Sequence, residues 1–442
     1  MVFFNQDRIR RSQAHIAGMK RANHKINPVS RRLPASRSRS ARSGKWHSQM
    51  VMLVILAATF FMFFPSLRNN SLVWDDEGYI LTNQIVRNFE LPGILSDFVM
   101  GNYHPATVFT LALEYQFFGT DAAGYHAVNL LLHLINVVLV FYVLSLLSQK
   151  KEVALISALL FGIHPLHVES VAWASGVKDL LFTLFFLASL IYYVKYLNSP
   201  ERKFILISLV FFFFSLLSKA MAAPLPVLLL LTDYYTGRKI NGKVLAEKIP
   251  FFMLSLIFGI IAILAQRSAD SVPESTFPFF QRVVFACFGF VTYLIKLVLP
   301  FNLSAFYPYP VKSGGTIPAI YYSYIFLTAL VAVLVYFSSR YSKKIPFGSG
   351  FFLLTIILVL QLFPVGSAII ADRYSYLSSI AILYLVAEGI VFLWSRKQKI
   401  FAIGILSLFS VFYSAKTYSR CKVWENNLTL WTDVIEIGRA HV

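Results

Sequence analysis

The stretch Gln49 to Leu67, QMVMLVILAATFFMFFPSL, is followed after a few residues by Val73 to Ile80, VWDDEGYI. The first is long and apolar enough to cross a bilayer, whose core takes about 20 helical residues. The second places three carboxylates, Asp75, Asp76 and Glu77, just beyond the end of that helix. Because like charges beside a low-dielectric slab repel one another, we expect at least one of them to have a raised pKa, or the group to bind a cation. The alternative is a solvated loop that only marks the outer side of the membrane.

Composition indicates a polytopic membrane protein. Of the 442 residues, 57% are hydrophobic and 14% are charged, and further apolar runs follow the first. The net charge of +19 would suggest nucleic acid in a soluble protein, but the basic residues fall between apolar runs, as in cytoplasmic loops. No nucleic-acid partner is therefore predicted. Cys287 and Cys421 show no metal-ligand spacing.

Hydropathy and loop charge together predict an all-α bundle of eleven transmembrane helices. After Gln49 to Leu67 the expected spans are Tyr125 to Leu147, Val153 to Ile163, Leu180 to Leu197, Phe204 to Leu217, Ala223 to Tyr235, Ile249 to Ala265, Ala319 to Phe337, Phe347 to Leu362, Leu377 to Trp394 and Ile400 to Tyr413. Basic clusters between the spans fall on the side of the amino-terminal tail, which puts that side in the cytoplasm and the carboxyl end outside.

Two segments of the bundle need separate treatment. Phe279 to Leu299 is long enough to span but contains Arg282 and Lys296. Placing it in the interface, or as a re-entrant segment, keeps the later basic clusters on the same side as the others, and this placement is preferred. Leu91 to Phe118 has interrupted hydrophobicity, which predicts amphipathic helices lying on the membrane surface in the first outer loop.

The two ends of the chain differ from its middle. Residues 1–48 are rich in Arg, Lys and Ser without apolar periodicity, which predicts a disordered basic cytoplasmic tail. Residues 49–417 form the predicted transmembrane domain. From Tyr418 the chain turns polar and aromatic, like the opening of a helical repeat. Because Glu436 to Val442 can be read as a translated sequencing adapter, residues 418–442 are interpreted as the start of a truncated repeat region.

Unusual polar residues from separate turns all fall on the outer side of this topology. They are the acidic trio, His104, His164, His167, Glu169, Lys178, Asp179, Lys219, Asp372 and Arg373. Ionisable groups at a membrane boundary are expensive and by default functional, and a bundle would bring these turns together. A polar cavity open to the outer leaflet is therefore predicted.

The histidines are open to two interpretations. His164 and His167 flank Pro165, with Glu169 close behind. With the acidic trio they are candidate ligands for a divalent ion, although the spacing matches no metal signature. Capping and hydrogen bonding at the end of a span explain the same residues as well as a substrate contact does.

The cations are open to two interpretations as well. Lys219 alone would reach to the interface along its apolar stem, and Arg373 beside Asp372 would form a neutral ion pair. Taken together, Lys219 and Arg373 have the chemistry of an anion clamp, since Arg forks and Lys point charges are the usual partners of phosphate. A phosphate ligand on the outer face would be a lipid phosphate, because no Gly-rich nucleotide loop is present.

At these positions the chain resembles a known family. The residues that carry the resemblance are Trp74-Asp75-Asp76 with Tyr79-Ile80, GYHAVNLLLH from Gly124 to His133, HPLHVESV from His164 to Val171, Leu217-Ser218-Lys219, and DRYSYL from Asp372 to Leu377. This ordered set is similar to the membrane domain of the transmembrane and tetratricopeptide-repeat-containing protein O-mannosyltransferases and their bacterial relatives, which are GT-C glycosyltransferases like the dolichyl-phosphate-mannose protein mannosyltransferases. The resemblance extends from about Ser71 to Trp431.

The resemblance implies a fold and a set of roles. It implies a GT-C-like membrane bundle, a polyprenyl-phosphate sugar donor and transfer on the outer or lumenal face. Asp75 would be the catalytic base, and Asp76 would tune or orient it. Lys219 and Arg373 would hold the donor phosphate, with further contacts from His104, His164, His167, Glu169 and Asp179. Any divalent metal would be held by Asp75, Asp76, Glu77 and His167.

Two departures from the family pattern concern the same site. Ala220-Met221 follows Lys219 where eukaryotic members usually have an acid, and His104-Pro105 stands in place of the family's Arg-Pro. The first favours a bacterial form, and hence the bacterial inner membrane over the endoplasmic reticulum. The second puts donor or acceptor contacts at His104 in doubt.

The function predicted from the sequence is sugar transfer from a lipid-linked donor to a hydroxyl of a protein or glycan, with inversion at the sugar. Two alternatives remain open: a transporter or flippase of lipid-linked sugars that uses the same cavity, and a non-catalytic membrane scaffold. Transport would be supported by inverted repeats and broken mid-membrane helices. A scaffold role would give no function to Asp75, Asp76 and Glu77.

Overall fold

The structure is a computed structural model that describes residues 36–268, 277–311, 315–362 and 368–439. Its α-helices are α1 Ser36–Phe63, α2 Gln84–Arg87, α3 Leu91–Ser96, α4 Pro105–Phe118, α5 Ala122–Ser148, α6 Lys151–Gly162, α7 Val168–Val171, α8 Val177–Asn198, α9 Arg202–Ser218, α10 Leu225–Thr236, α11 Gly242–Ser268, α12 Phe279–Val298, α13 Ile320–Ser338, α14 Lys344–Ile356, α15 Ser379–Ser395, α16 Lys399–Val423 and α17 Asn427–Arg439. Two short strands, β1 Tyr307–Pro308 and β2 Ala368–Ile370, pair antiparallel, where the sequence had predicted no strand.

The protein is an all-α multi-pass membrane protein, which confirms the predicted fold class. Within the described ranges, seven helices are long and apolar enough to cross a bilayer, or eight if the bent pair Lys151–Gly162 and Pro165–Val171 forms one span. Two further apolar helices, Lys344–Val359 and Ser379–Ser395, are shorter. The total of eleven spans therefore stays a prediction.

The first helix begins earlier than the sequence predicted. Residues 1–35 of the predicted disordered tail lie outside the described residues, but residues 36–48 are helical and continue into the first apolar run as α1. Once a helix has formed, each added residue gains one hydrogen bond for one fixed backbone unit, so the helix extends until a residue opposes it.

The first outer loop is helical, as predicted, but α4 is not amphipathic. Its inner side buries Val108 and Leu111, while Phe109 and Phe117 are exposed on the other side. A helix that lies between a protein core and lipid needs apolar residues on both sides. The interrupted hydrophobicity in the sequence reflects the breaks between short helices rather than a polar face.

Basic residues from separate loops meet at one end of the bundle. The Nζ atoms of Lys150 and Lys344 lie 3.4 and 2.7 Å from the same Glu388 carboxylate. Beside them is a cavity of about 680 Å³ whose lining includes Asn198 and Arg238. This gathering agrees with the prediction that the basic clusters share one side of the membrane.

The candidate site residues lie at the other end of the same helices. The cavity touches the end of α8 at Asn198, whereas Lys178 is at the start of this helix, about 30 Å away at 1.5 Å per residue. Lys219 follows the end of α9, whose start lies back towards the basic end. The bundle thus has a basic end and, opposite to it, an acid–base end at which acidic and basic residues occur together.

α12 makes polar contacts near both of its ends. Near its start, Arg282 donates to the carbonyl of Leu362, and near its finish Lys296 donates to Tyr307. The hydroxyl of Tyr307 in turn donates to Asp372, next to Arg373. The length and hydropathy of α12 suffice for a span, so its interfacial placement stays a prediction.

The boundary predicted after residue 417 falls inside α16, which continues to Val423. Residues 50–442 form one compact unit by their contacts. Within it, Leu430 of α17 is buried, and Asp433 pairs with Arg420 of α16 at 2.5 Å. The polar, aromatic segment from Tyr418 onward is therefore packed on the membrane domain, and its assignment as the start of a repeat region stays a prediction.

Candidate active site

The acidic loop is held in place by Asp76. Its Oδ2 accepts from the backbone N–H of Leu72, and its Oδ1 accepts from the N–H and the hydroxyl of Ser175. The side chain is fully buried. Both oxygens are thus committed to fixing the loop that leads out of α1 onto the turn that begins α8. This geometry gives Asp76 a positioning role, and its predicted catalytic role is not favoured.

Asp75, one residue earlier, points to a cation. The Nζ of Lys178 lies 2.6 Å from its Oδ2, and about a fifth of its side chain remains exposed. Burial alone would raise the pKa of Asp75, but the charge and hydrogen bond of Lys178, with the more distant charges of Arg373 and Lys219, bring that pKa below its ordinary value. Asp75 is therefore ionised at neutral pH and open to a ligand.

The prediction that one acid of the trio has a raised pKa is confirmed for Asp76, although mainly for another reason. Burial raises the pKa of Asp76 most, its hydrogen bonds from Leu72 and Ser175 oppose this, and repulsion by Asp75 contributes least. Glu77 is exposed to solvent. The three neighbouring carboxylates therefore have three different environments.

A second ion pair joins Lys219 to Asp179. Their Nζ and Oδ1 atoms are 2.5 Å apart, with Asp179 fully buried. Lys219 follows the end of α9 and has an extended backbone conformation. This interrupts the helix before the next turn and directs the Lys219 side chain inward. Burial lowers the pKa of Lys219, and the neighbouring Asp179 only partly offsets this. The predicted alternative, in which Lys219 extends to the interface, does not describe this side chain.

A third ion pair joins Arg373 to Glu169. The guanidinium donates to Glu169 Oε1, and the backbone N–H of Arg373 donates to Oε2 of the same carboxylate at 2.8 Å. Arg373 does not pair with Asp372, although this ion pair was one of the two interpretations that the sequence left open. Asp372 instead accepts from the hydroxyl of Tyr307 at 2.9 Å, and burial raises its pKa to about 7.

Shared aromatic rings show that the three cations lie together. Lys219 and Arg373 lie 5.6 and 5.0 Å from the ring centre of Tyr374. Lys178 and Arg373 lie 5.2 and 5.3 Å from the ring centre of Trp173. Lys178, Lys219 and Arg373 therefore lie together around the rings of Trp173 and Tyr374, and each of these cations is paired with its own carboxylate.

His104 belongs to the same neighbourhood. It is 6% exposed, and its Nδ1 has no hydrogen-bond partner among the described residues. Burial, followed by the charges of Lys178 and Lys219, holds its pKa well below the usual range, with a small opposing effect from Asp75. His104 therefore contributes a neutral imidazole, where the Arg expected from the family pattern would have added a fourth cation.

His164 and His167 have other partners than this group, so the structure gives no support to their prediction as donor contacts. His164 accepts from the N–H of Leu166 and lies 3.1 Å from the carbonyl of Leu297. His167 lies 2.8 Å from the carbonyl of Phe161 and 3.0 Å from the hydroxyl of Ser379. Both are fully buried. Their contacts fit the other interpretation that the sequence left open, which is capping and hydrogen bonding at the end of a span.

The predicted metal ligands do not come together. Both oxygens of Asp76 and both ring nitrogens of His167 already have partners, and Glu77 is exposed. Across the part of the chain that the structure describes, no group of three or more His, Cys, Asp or Glu residues is arranged to hold a metal ion. The set of Asp75, Asp76, Glu77 and His167 is therefore not a metal site in this structure.

Lys178 is the functional candidate that the sequence reasoning did not select. It was noted beside Asp179, but only Asp179 was assigned a contact with the donor. The information was present, since a lysine at the outer end of a span is unusual. Tyr374 and Trp173 were missed because aromatic residues are common throughout this chain.

Comparison with known proteins gives a consistent result. The family model of dolichyl-phosphate-mannose-protein mannosyltransferase matches residues 103–265. A protein O-mannosyl-transferase of Caenorhabditis elegans is 25% identical over 87% of this chain and 57% of its own length. Protein O-mannosyl-transferase TMTC3 of Homo sapiens is 26% identical over 76% and 41% respectively. The chain thus spans about half the length of these relatives.

Among solved structures, ArnT from Cupriavidus metallidurans bound to undecaprenyl phosphate aligns with a TM-score of 0.48 at 11% identity, covering 87% of this chain and 77% of that one. An oligosaccharyltransferase from Archaeoglobus fulgidus aligns with a TM-score of 0.45 at 12% identity over 86% of this chain and 55% of its own. The sequence relatives and the family match confirm that the chain resembles the protein O-mannosyl-transferases.

Proposed function

We propose that the protein transfers a sugar, mannose in the first instance, from a polyprenyl-phosphate donor to a hydroxyl of a protein or glycan at the outer or lumenal face. One observation carries the proposal: Asp75, Lys219 and Arg373 gather at the end of the bundle opposite the basic clusters. An ionised carboxylate within reach of paired cations provides both a proton acceptor and a site for a phosphate leaving group.

Lys219 and Arg373 are proposed to bind the donor phosphate. Each is already held by a buried carboxylate, Asp179 or Glu169, which fixes its position before the donor arrives. Negative charge grows on the phosphate as its bond to the sugar breaks, so fixed cations stabilise the transition state more than the bound donor. Partial exposure of both cations, 11% and 15% of their side chains, leaves room for this contact.

Asp75 is proposed as the base. As the acceptor oxygen attacks the anomeric carbon from the side opposite the phosphate, its hydroxyl proton passes to a carboxylate oxygen of Asp75, and the bond from carbon to phosphate oxygen breaks. The configuration at the sugar inverts. A lowered pKa keeps Asp75 ionised, and the hydroxyl becomes acidic enough to give up its proton only as the new bond forms.

The test is a membrane assay with radiolabelled polyprenyl-phosphate mannose. Asp75→Asn should lower transfer on the order of a hundredfold or more, since it removes the proton acceptor while keeping the shape. Glu77→Gln, two residues away and exposed, is the matched control and should keep activity. Equal transfer by wild type and Asp75→Asn would exclude the base role. Movement of donor across the membrane without release of free lipid phosphate would favour the transporter.

A further inference from the structure

The loop that carries Asp75 is tied to the carboxyl-terminal helices of the described chain. The backbone N–H of Asn70 donates to the carbonyl of Glu425 at 2.8 Å, and that of Val73 donates to Asn427 Oδ1 at 2.9 Å. These bonds join residues more than 350 positions apart in sequence. The loop between α1 and Asp75 therefore depends on the turn between α16 and α17, and on the first residue of α17, for two of its backbone partners.

Stacked rings extend the same connection to the charged groups. Trp431 of α17 lies 5.5 Å from the ring centre of Trp74, which stacks on Trp173 at 4.9 Å. Trp173 is the ring against which Lys178 and Arg373 lie. Trp431 thus contacts Trp74, the residue directly before Asp75. Through Trp74 it supports Trp173, the ring against which Lys178 and Arg373 lie. Trp431 itself lies outside this group of charged residues.

α17 is a surface helix rather than part of the bundle core. Leu428 and Ile435 on its outer side are 78% and 54% exposed, whereas Leu430 is buried. One ion pair, Arg420 with Asp433, fastens it to α16. Its Asn427 and Trp431 contact the loop before Asp75, and a change at either residue should reach this loop before it reaches the spans.

We propose that α17 is a positioning element for sugar transfer, in which Asn427 and Trp431 fix the backbone before Asp75 and so hold the carboxylate at its reacting position. The proposal rests on the proposed function. Neither side chain touches substrate; both act through the loop. A displacement of about 1 Å at a reacting group lowers the rate as much as a hundredfold, so loss of the hydrogen bond from Val73 to Asn427, or of the ring contact between Trp431 and Trp74, should be measurable in the rate.

The kinetic test uses the full chain in membranes with radiolabelled polyprenyl-phosphate mannose. Asn427→Ala and Trp431→Ala should each lower kcat by about tenfold or more. The donor KM should change less than about twofold, because Lys219 and Arg373 keep their own acids. Trp431→Phe should restore most of the rate, since a ring again backs Trp74. Leu428→Ala, on the exposed side of the same helix, should leave kcat unchanged.

A second measurement does not depend on activity. Hydrogen exchange of peptides covering residues 69–80 should be faster in Asn427→Ala and Trp431→Ala than in wild type, with unchanged exchange in α8 and α9. Faster exchange throughout the bundle, or an equal loss of kcat in Leu428→Ala, would show general destabilisation and overturn the proposal. So would unchanged exchange and kcat in both variants. A wild type without transfer would overturn the proposed function, and the positioning role with it.

Discussion

Lys178 contributes most among the cations to keeping Asp75 ionised. Burial raises the pKa of this carboxylate, but the charge and hydrogen bond of Lys178, together with the charges of Arg373 and Lys219, bring that pKa below its ordinary value. A depressed pKa stabilises the folded state above the ordinary pKa of about 3.8, and that contribution is lost as pH falls through the lower folded value. At neutral pH the pair therefore both stabilises the loop and keeps the proposed base ionised.

Substituting Lys178→Met tests this. Without the cation, burial dominates and the pKa of Asp75 should rise above its ordinary value. Transfer should fall by about tenfold or more at neutral pH, and part of the loss should be recovered as pH is raised, because the base regains its charge. The rate measured between pH 5 and 9 shows the shift.

Lys195→Met is the matched control for this change. It lies on the same helix α8, near the end away from Asp75, against the rings of Tyr142 and Tyr192. Its pH profile should equal that of wild type. If Lys178→Met retains the wild-type profile as well, Lys178 does not set the state of the base.

At the scale of single residues, the sequence predicted the charges better than their partners. Asp75, Lys219 and Arg373 were selected because ionisable groups beside a membrane are costly without a purpose. Their pairing was out of reach, since Glu169 lies more than 200 positions from Arg373. Asp76 is an acid next to Asp75 in the sequence, so the sequence did not distinguish the two. The hydrogen bonds of Asp76 in the structure give it a positioning role, whereas Asp75 is the proposed base.

The loop from α1 to the π-helical turn Glu77–Leu81 is fixed from inside by Asp76 and from outside by α17. Inside, one carboxylate satisfies the backbone donors of Leu72 and Ser175 in a dry environment. A buried N–H without an acceptor costs about 1–3 kcal/mol. The shape of this element thus depends on one buried side chain.

The substitution Asp76→Ala should therefore be strongly destabilising. It leaves two backbone N–H groups and a hydroxyl without their acceptor, which should reduce the free energy of unfolding by about 2–5 kcal/mol. Thermal unfolding of the detergent-purified protein measures this. Glu77→Ala, exposed on the same loop, should unfold within about a degree of wild type. Similar melting temperatures for both variants would contradict the anchoring role.

Pro165 explains why His164 and His167 turn into the bundle. It ends the helical path after α6 and starts a short 3-10 turn, with His164 capping that turn through its Nδ1. Both imidazoles are thereby turned into the bundle, where backbone carbonyls bind them. The spacing of two histidines around a proline does not distinguish an inward from an outward direction, so the sequence left both interpretations open.

For the whole molecule, the sequence predicted sidedness from charge bias alone. Basic loops far apart in the chain do meet at one end, and the predicted functional groups lie at the other. The count of spans was harder to predict, because several helices are shorter than a bilayer requires. A bundle that surrounds short helices shields them from lipid, and hydropathy does not record that shielding.

Cysteine labelling tests the two ends directly. In a protein lacking its two native cysteines, Glu77→Cys should react with an impermeant maleimide added from outside the cell. Tyr341→Cys, at a position 90% exposed near the basic end, should react only after the membrane is opened, because positive loops remain in the cytoplasm. Reaction of both positions from the same side would contradict the separation of the two ends.

Matching each cation with its own carboxylate has an effect beyond the site itself. Three ion pairs add up to no net charge, and the fields of close opposite charges cancel within a few ångströms. Soluble anions in the surrounding water would therefore feel little attraction from far away. A ligand that already resides in the bilayer arrives by lateral diffusion and needs no such guidance, so its encounter rate should be nearly independent of ionic strength.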